Sequence, residues 1–259
     1  EYRESIMNNI EKQYKTSQRL DIRIAIHKKY STNQQPFGEW IHEKYEISPG
    51  FRILELGCGT GDMWKGNLHT LPDNTQLILS DFSEGMLDAA KKNLANHPTV
   101  RYQKMDIQSI PYADASFDMV IANMMLYHVP DLHRGLSEVR RVLKPGGKFY
   151  CATYGEHGIM EFVNDALFDL NVSGSIGKQF TLQNGEEILS NHFSNIRKLT
   201  RDDGLCITSV DDFIEYVLSL NSLTGLESVT ASMLKTVFSA KMKNGILYVP
   251  KEYGMFICE

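Results

Sequence analysis

Three short stretches of the sequence carry residue types suited to gripping a small ligand. The run Ile53-Leu54-Glu55-Leu56-Gly57-Cys58-Gly59-Thr60-Gly61 sets glycines at alternate positions behind an apolar stretch and a carboxylate. Glycines at such a turn let backbone N–H groups approach a ligand that a side chain would hold off. A dinucleotide loop of the form G-x-G-x-x-G needs a glycine at 62, where this chain has Asp62, so the spacing argues against that ligand class. Asp81 follows Gly61 by 20 residues, a distance one helix and one strand fill. Its carboxylate then falls beside the glycine loop, where it can accept both hydroxyls of a ribose. The third stretch, Met105-Asp106-Ile107, again puts an acid just past an apolar run.

These residues need elements to hold them. Between residues 51 and 155, short apolar runs alternate with helical spacing, the pattern of a parallel sheet with crossover helices. Strands are predicted at Arg52 to Leu56, Gln76 to Ser80, Val100 to Lys104, Met119 to Ala122 and Lys148 to Thr153. Helices are predicted near Met63 to Thr70, Ser83 to Asn96 and Asp131 to Val142, with Pro145-Gly146-Gly147 as the turn that stops the last. Right-handed crossovers make this an open, doubly wound α/β sheet.

The flanks differ in texture. Residues 1–50 are polar and helical in flavour, broken at Ser31 to Pro36 and followed by a helix around Glu39 to Tyr45; they read as an amino-terminal lid or cap. Tyr14, His27 and Tyr30 are its polar-tipped candidates for closing over a site, against the plainer reading of a solvated helix. Residues 51–259 form the main domain, with helical insertions on the acceptor side within 156–250. Apolar stripes there include Ile159 to Leu170, Phe213 to Leu218 and Leu226 to Phe238, and strands flank them at Asn195 to Thr200 and Tyr253 to Cys258.

Taken in order, the motifs resemble those of class I S-adenosylmethionine-dependent methyltransferases. The resemblance rests on Glu55 and the glycines at 57, 59 and 61, and on Asp81-Phe82-Ser83-Glu84-Gly85-Met86-Leu87, similar to D-x-S-x-x-M-L. It extends through Met105-Asp106-Ile107 and Asn123 to Asp131 to Val139-Arg140-Arg141-Val142-Leu143-Lys144-Pro145-Gly146-Gly147. Nearest in pattern is the group that contains the ubiquinone and menaquinone C-methyltransferases; beyond residue 155 the likeness fades. It implies a mostly parallel seven-stranded, Rossmann-like sheet with amino-terminal helices and a helical insertion before the last strand. It also implies S-adenosylmethionine as cofactor, with S-adenosylhomocysteine as product. Glu55, Gly57, Cys58, Gly59, Gly61, Asp81, Phe82, Met86, Asp106, Ile107 and Asn123 would bind the cofactor. In that scheme Asp81 holds the ribose, Phe82 and Met86 line the adenine pocket, Asp106 accepts from the exocyclic amine and the Ile107 N–H meets a ring nitrogen. Plainer readings stand beside these: Ser83 as a helix cap, Met86 as core filler, Asp81 as a turn residue.

A methyl donor of this kind is strongly activated, so positioning and water exclusion carry much of the work, and no catalytic dyad is evident. His128 is the first candidate general base and Tyr30 a poorer one; packing or capping is the competing role for His128. Cys58 reads as a small backbone-contact residue between two glycines rather than a nucleophile. The histidines lack metal-ligand spacing, and no metal is assigned.

Composition narrows the partners. With 27 Lys plus Arg against 32 Asp plus Glu, the net charge is -5. An acidic balance, with Asn123-Met124 in place of the N-P-P-Y of nucleobase amine methyltransferases, argues against nucleic acid. No apolar run nears the roughly 20 residues of a membrane span, and the charged amino terminus does not read as a secretory signal. Cys58, Cys151, Cys206 and Cys258 form no C-x-x-C pair and fit reduced thiols in a cytoplasm. A small-molecule acceptor is expected. A non-catalytic S-adenosylmethionine-binding module is the main alternative, a nicotinamide dehydrogenase and an aminopropyltransferase being weaker ones. Oligomeric state is not legible.

Overall fold

The computed structural model describes residues 19 and 21–259, so Tyr14 and most of the amino-terminal zone lie outside the described residues. The strands are β1 (Arg52–Leu56), β2 (Gln76–Asp81), β3 (Val100–Lys104), β4 (Phe117–Ile121), β5 (Leu143–Tyr154), β7 (Ile196–Ile207) and β9 (Leu247–Cys258), with near-continuous apolar runs in the central β1, β2 and β4. They make one seven-stranded sheet in the order β3-β2-β1-β4-β5-β9-β7. β1 pairs in parallel with β2 and β4, β2 with β3 and β4 with β5, while β9 runs antiparallel to β5. This is the α/β, mostly parallel, Rossmann-like architecture expected from the sequence. The order turns back between β1 and β4, and that switch point is where such sheets bind ligands. A separate pair, β6 (Ser173–Gly174) and β8 (Leu223–Thr224), is too short to show in the sequence pattern.

The chain divides into two compact units. The sheet unit comprises Gln35–Gly155, Gly177–Arg201 and Tyr253–Glu259. Alternate side chains of its strands enter two cores: Leu54, Leu56, Ile78, Val120 and Phe149 on one face, Ile53, Leu77, Leu79, Met119 and Tyr150 on the other. Burial on both faces explains why these strands read as solid apolar runs. Helices α2 (Phe37–His42), α3 (Glu84–Asn93), α4 (Leu132–Val142) and α6 (Gly185–Ser190) belong here. Ser83 caps α3 and Asp131 caps α4, each side chain accepting a backbone N–H three residues on. α4 buries Leu136, Val139 and Val142 and ends on Arg140 and Arg141, charges suited to its carboxyl-terminal dipole.

Two expectations need correction. No α-helix spans Met63 to Thr70; two 3-10 turns, Asp62–Trp64 and Leu68–Thr70, stand there. Gly61 and Gly66, at φ 70° and 89°, interrupt helical backbone, and Trp64 is drawn fully inside, where its indole N–H meets Glu55. Pro145-Gly146-Gly147 is not the break between α4 and a later strand but a bulge inside β5. Phe117 is level with Leu143 and Met119 with Lys148, so the extra residues loop out around Gly146 at φ 75°.

The helical unit takes the described residues up to Gln34 together with Glu156–Ile176 and Asp202–Glu252. Its helices are α1 (21–30), α5 (Ile159–Leu167), α7 (Val210–Ser219) and α8 (Ala231–Ala240). Ile26, Val163, Leu167, Phe213, Val217, Leu234 and Phe238 build its core. An ion pair between Lys251 Nζ and Asp203 Oδ2, 2.6 Å apart, is almost wholly buried there, and Lys251 also donates to Ser31 Oγ at 2.9 Å. Burial, with the Lys251 charge adding to it, depresses the His27 imidazole to about 4, so it is neutral at physiological pH.

Candidate cofactor site

At the carboxyl ends of β1, β2 and β4 lies a cavity of about 650 Å³ within the sheet unit. Its walls include Gly57 and Gly59 after β1, Asp81, Phe82, Ser83 and Met86 after β2, and Met105, Asp106, Ile107 and Gln108 after β3. The loop after β4 adds Met124, Met125, His128, Val129 and Pro130.

The glycine loop is built for close approach. Gly57, Gly59 and Gly61 all take positive φ, at 66°, 55° and 70°. A Cβ on Gly57 would stand 2.9 Å from Met125 Cγ, while one on Gly59 would meet no protein atom within 4 Å. Gly57 is therefore required by protein packing and Gly59 fronts open space on the cavity side. The Cys58 N–H donates to Ser80 O at 2.9 Å, docking the loop against the end of β2. Burial, reinforced by the neighbouring Glu55 and Asp81 carboxylates, pushes the Cys58 thiol far above its usual range, which suits contact rather than nucleophilic attack.

Asp81 joins the two loops. Oδ2 accepts the Gly59 N–H at 2.9 Å and Oδ1 the Ser83 N–H at 2.8 Å, so the carboxylate of this cavity-lining residue is held from both loops. Asp106 is held in a tight turn: Oδ1 accepts the Gln108 N–H at 2.8 Å, and the Ser109 N–H returns to the Asp106 carbonyl at 3.0 Å. Phe82 and Met86 are 72% and 45% exposed. Apolar side chains left that open beside a cavity fit the edge of a bound ring better than core filling.

Five of the residues singled out from sequence do not line this cavity. Glu55 lies behind the loop, 3% exposed, and its Oε2 accepts the Trp64 indole N–H at 2.5 Å. Burial raises its carboxyl to about 7, against the lowering effect of the Trp64 bond. Cys58 and Gly61 shape the turn, Gly61 standing before the first 3-10 turn. The Asn123 side chain is taken up by Ala152 and Tyr45. Tyr30 sits in the helical unit, 6% exposed, its hydroxyl donating to Asp212 Oδ2 at 2.6 Å. His128 is exposed at the rim.

Met124, Met125 and Gln108 are wall residues the sequence reading missed. Met124 has φ 53°, a conformation that costs a non-glycine residue about 1–2 kcal/mol. The paired methionines directly after a strand were the visible signal. Among the described residues no three potential ligands cluster to hold a metal ion, and no helix is long and apolar enough to cross a membrane.

A crevice at the switch point, floored by a glycine loop and flanked by an acid after each of the next two strands, stands where open α/β sheets of this order take up ligands. Comparison with known proteins narrows this. Residues 54–151 match a family described as "Methyltransferase domain".

A ubiquinone/menaquinone biosynthesis C-methyltransferase of Shewanella sp. (strain W3-18-1) is 30% identical over 150 residues, 55% of this chain and 59% of that protein. A demethylmenaquinone methyltransferase of Desulfitobacterium hafniense is 36% identical over 105 residues, 39% of this chain and 42% of that protein. The matches thus span about half of this chain and no more than about three-fifths of these relatives. Among solved structures, the YcgJ protein of Bacillus subtilis superposes with a TM-score of 0.56 at 18% identity, covering 85% of this chain and 96% of that one. A putative methyltransferase from Bacillus halodurans gives 0.57 at 14%, covering 85% and 97%. At such identities these likenesses establish the fold.

Proposed function

We propose that the protein is an S-adenosylmethionine-dependent methyltransferase acting on a small-molecule acceptor. The observation that carries this reading is the convergence of Gly59, Asp81 and Asp106 on one cavity at the sheet's switch point. The residues fit the cofactor: the space in front of Gly59 admits a ligand against bare backbone, and Asp81, a lining residue, is braced by two N–H groups. When bound, S-adenosylmethionine supplies a methyl group on a sulfonium, open to in-line displacement by an acceptor atom. Asp81 would accept the ribose hydroxyls, Phe82 and Met86 would cover the adenine, and Asp106 with the Ile107 N–H would read its edge. The apolar walls from Met105, Met124, Met125 and Val129 exclude water, which strengthens each of these polar contacts.

Where the acceptor is protonated at working pH, His128 at the rim would take its proton; the Tyr30 hydroxyl is already committed to Asp212. The four cysteines are free, in keeping with a reducing compartment, and the acidic charge balance favours a metabolite over nucleic acid. Relatives named as C-methyltransferases of quinone biosynthesis make ring carbons the first acceptors to screen. Calorimetry with S-adenosylmethionine, followed by a methyl-transfer screen over quinols, phenols and amines, tests the reading. Micromolar binding with turnover on one acceptor class supports it; a folded protein that binds neither S-adenosylmethionine nor S-adenosylhomocysteine overturns it.

A further inference from the structure

We propose that Asn123 is a positioning residue for the cofactor cavity, acting through the two methionines that follow it. Its carboxamide is clamped between Ala152 and Tyr45, and the clamp holds Met124 in the left-handed conformation that turns Met124 and Met125 into the cavity wall. The inference rests on the reading of that cavity as the S-adenosylmethionine site.

β4 ends at Ile121, but its contact with β5 continues in a different form. The Met124 N–H donates to Ala152 O at 2.8 Å, while the Ala152 N–H is taken by Asn123 Oδ1 at 3.0 Å. On the other side, Asn123 Nδ2 donates to the Tyr45 hydroxyl oxygen at 2.7 Å, and the Tyr45 O–H points at Met63 Sδ, 3.4 Å away. Burial, with the nearby Glu55 carboxyl adding to it, pushes the Tyr45 phenol upward, so it keeps its proton and stays neutral. One planar side chain therefore satisfies a backbone donor and a phenol oxygen at once, which a carboxamide does and a carboxylate, lacking N–H donors, does not.

The next residue, Met124, sits at φ 53°. Methionine has no short polar side chain to support that conformation locally, so its surroundings must impose it. The result is specific: Met124 and Met125 both line the cavity, and Met125 fills the space that a side chain on Gly57 would need. Asn123 does not line the cavity itself, so its influence on a ligand passes through the backbone turn.

The test measures S-adenosylhomocysteine binding by calorimetry on the full chain, with thermal unfolding recorded alongside. Asn123→Ala should weaken binding about ten-fold, equivalent to about 1.4 kcal/mol. Tyr45→Phe, which deletes one hydroxyl and keeps the ring packing, should weaken it about three-fold. In a Met124→Gly background, where the turn no longer needs imposing, Asn123→Ala should change affinity less than two-fold. Unchanged affinity for both Asn123→Ala and Tyr45→Phe overturns the proposal, and so does a ten-fold Asn123→Ala loss that persists in the glycine background. If Asn123→Ala does not fold, Tyr45→Phe decides alone. A folded wild-type protein that binds no S-adenosylhomocysteine overturns the cofactor reading instead.

Discussion

Two loops that meet at the cavity wall solve the same backbone problem differently. After β1, positive φ is given to glycines, which adopt it without penalty; after β4, it is forced on a methionine by hydrogen bonds from Asn123 and the neighbouring strand. The first loop needs no support but can carry no side chains, so it offers only N–H groups and space. The second supplies two large apolar walls at the cost of a braced, strained turn. A cavity that must present bare backbone on one side and apolar surface on the other uses both.

This contrast can be broken at several points. Gly57→Val has the largest expected effect: a branched side chain at φ 66°, with its Cβ 2.9 Å from Met125, should cost about 4 kcal/mol in urea unfolding. A midpoint shift no larger than that of Gly59→Val would show that the two loops do not interlock there.

Next in size is a pH effect behind the glycine loop. Glu55 titrates at about 7 in the folded chain against 4.5 when unfolded, so between those values the folded state holds the extra proton and stability falls as pH rises. The fall should total on the order of 3 kcal/mol between pH 4.5 and 7. It should shrink in Glu55→Gln, as read from urea midpoints at pH 5 and 8.

Asp81→Ala should weaken S-adenosylmethionine binding by about 1 to 3 kcal/mol, since the Gly59 and Ser83 N–H groups lose their acceptor along with the ligand. Calorimetry gives the number, and an unaltered dissociation constant would remove Asp81 from the site. The smallest effect belongs to Met124→Gly. Relief of the left-handed turn should offset the lost side chain, leaving unfolding within about 0.5 kcal/mol of wild type, whereas an unstrained methionine would be missed by more.

The sheet was legible because its strands are buried on both faces: Ile53, Leu54 and Leu56 or Leu77, Ile78 and Leu79 leave no alternative to a central strand. The glycine spacing and the acid after each strand were equally plain, because backbone conformation dictates residue type there. The segment from Met63 to Thr70 was not, since its helical spacing gives way to Gly66 and to the burial of Trp64 against Glu55. Nor was α6, only six residues long. Within the site, residues that touch the cavity by side chain were readable at Asp81, Phe82 and Asp106. Asn123 was legible as a residue of interest but not in its partners, because Tyr45 and Ala152 reach it only through the fold.

The placement of β9 bears on how the chain is made. Tyr154 to Phe149 pair with Tyr253 to Cys258, segments separated by roughly a hundred residues of sequence. As the polypeptide leaves the ribosome, β1 to β5 can assemble while β5 still shows an unpaired flank. That flank presents the backbone N–H and C=O groups of Phe149 to Tyr154 to whatever is near until its partner emerges. Protection of nascent chains at this step would therefore depend on the elongation rate across the intervening stretch, and slow codons there would lengthen the vulnerable interval.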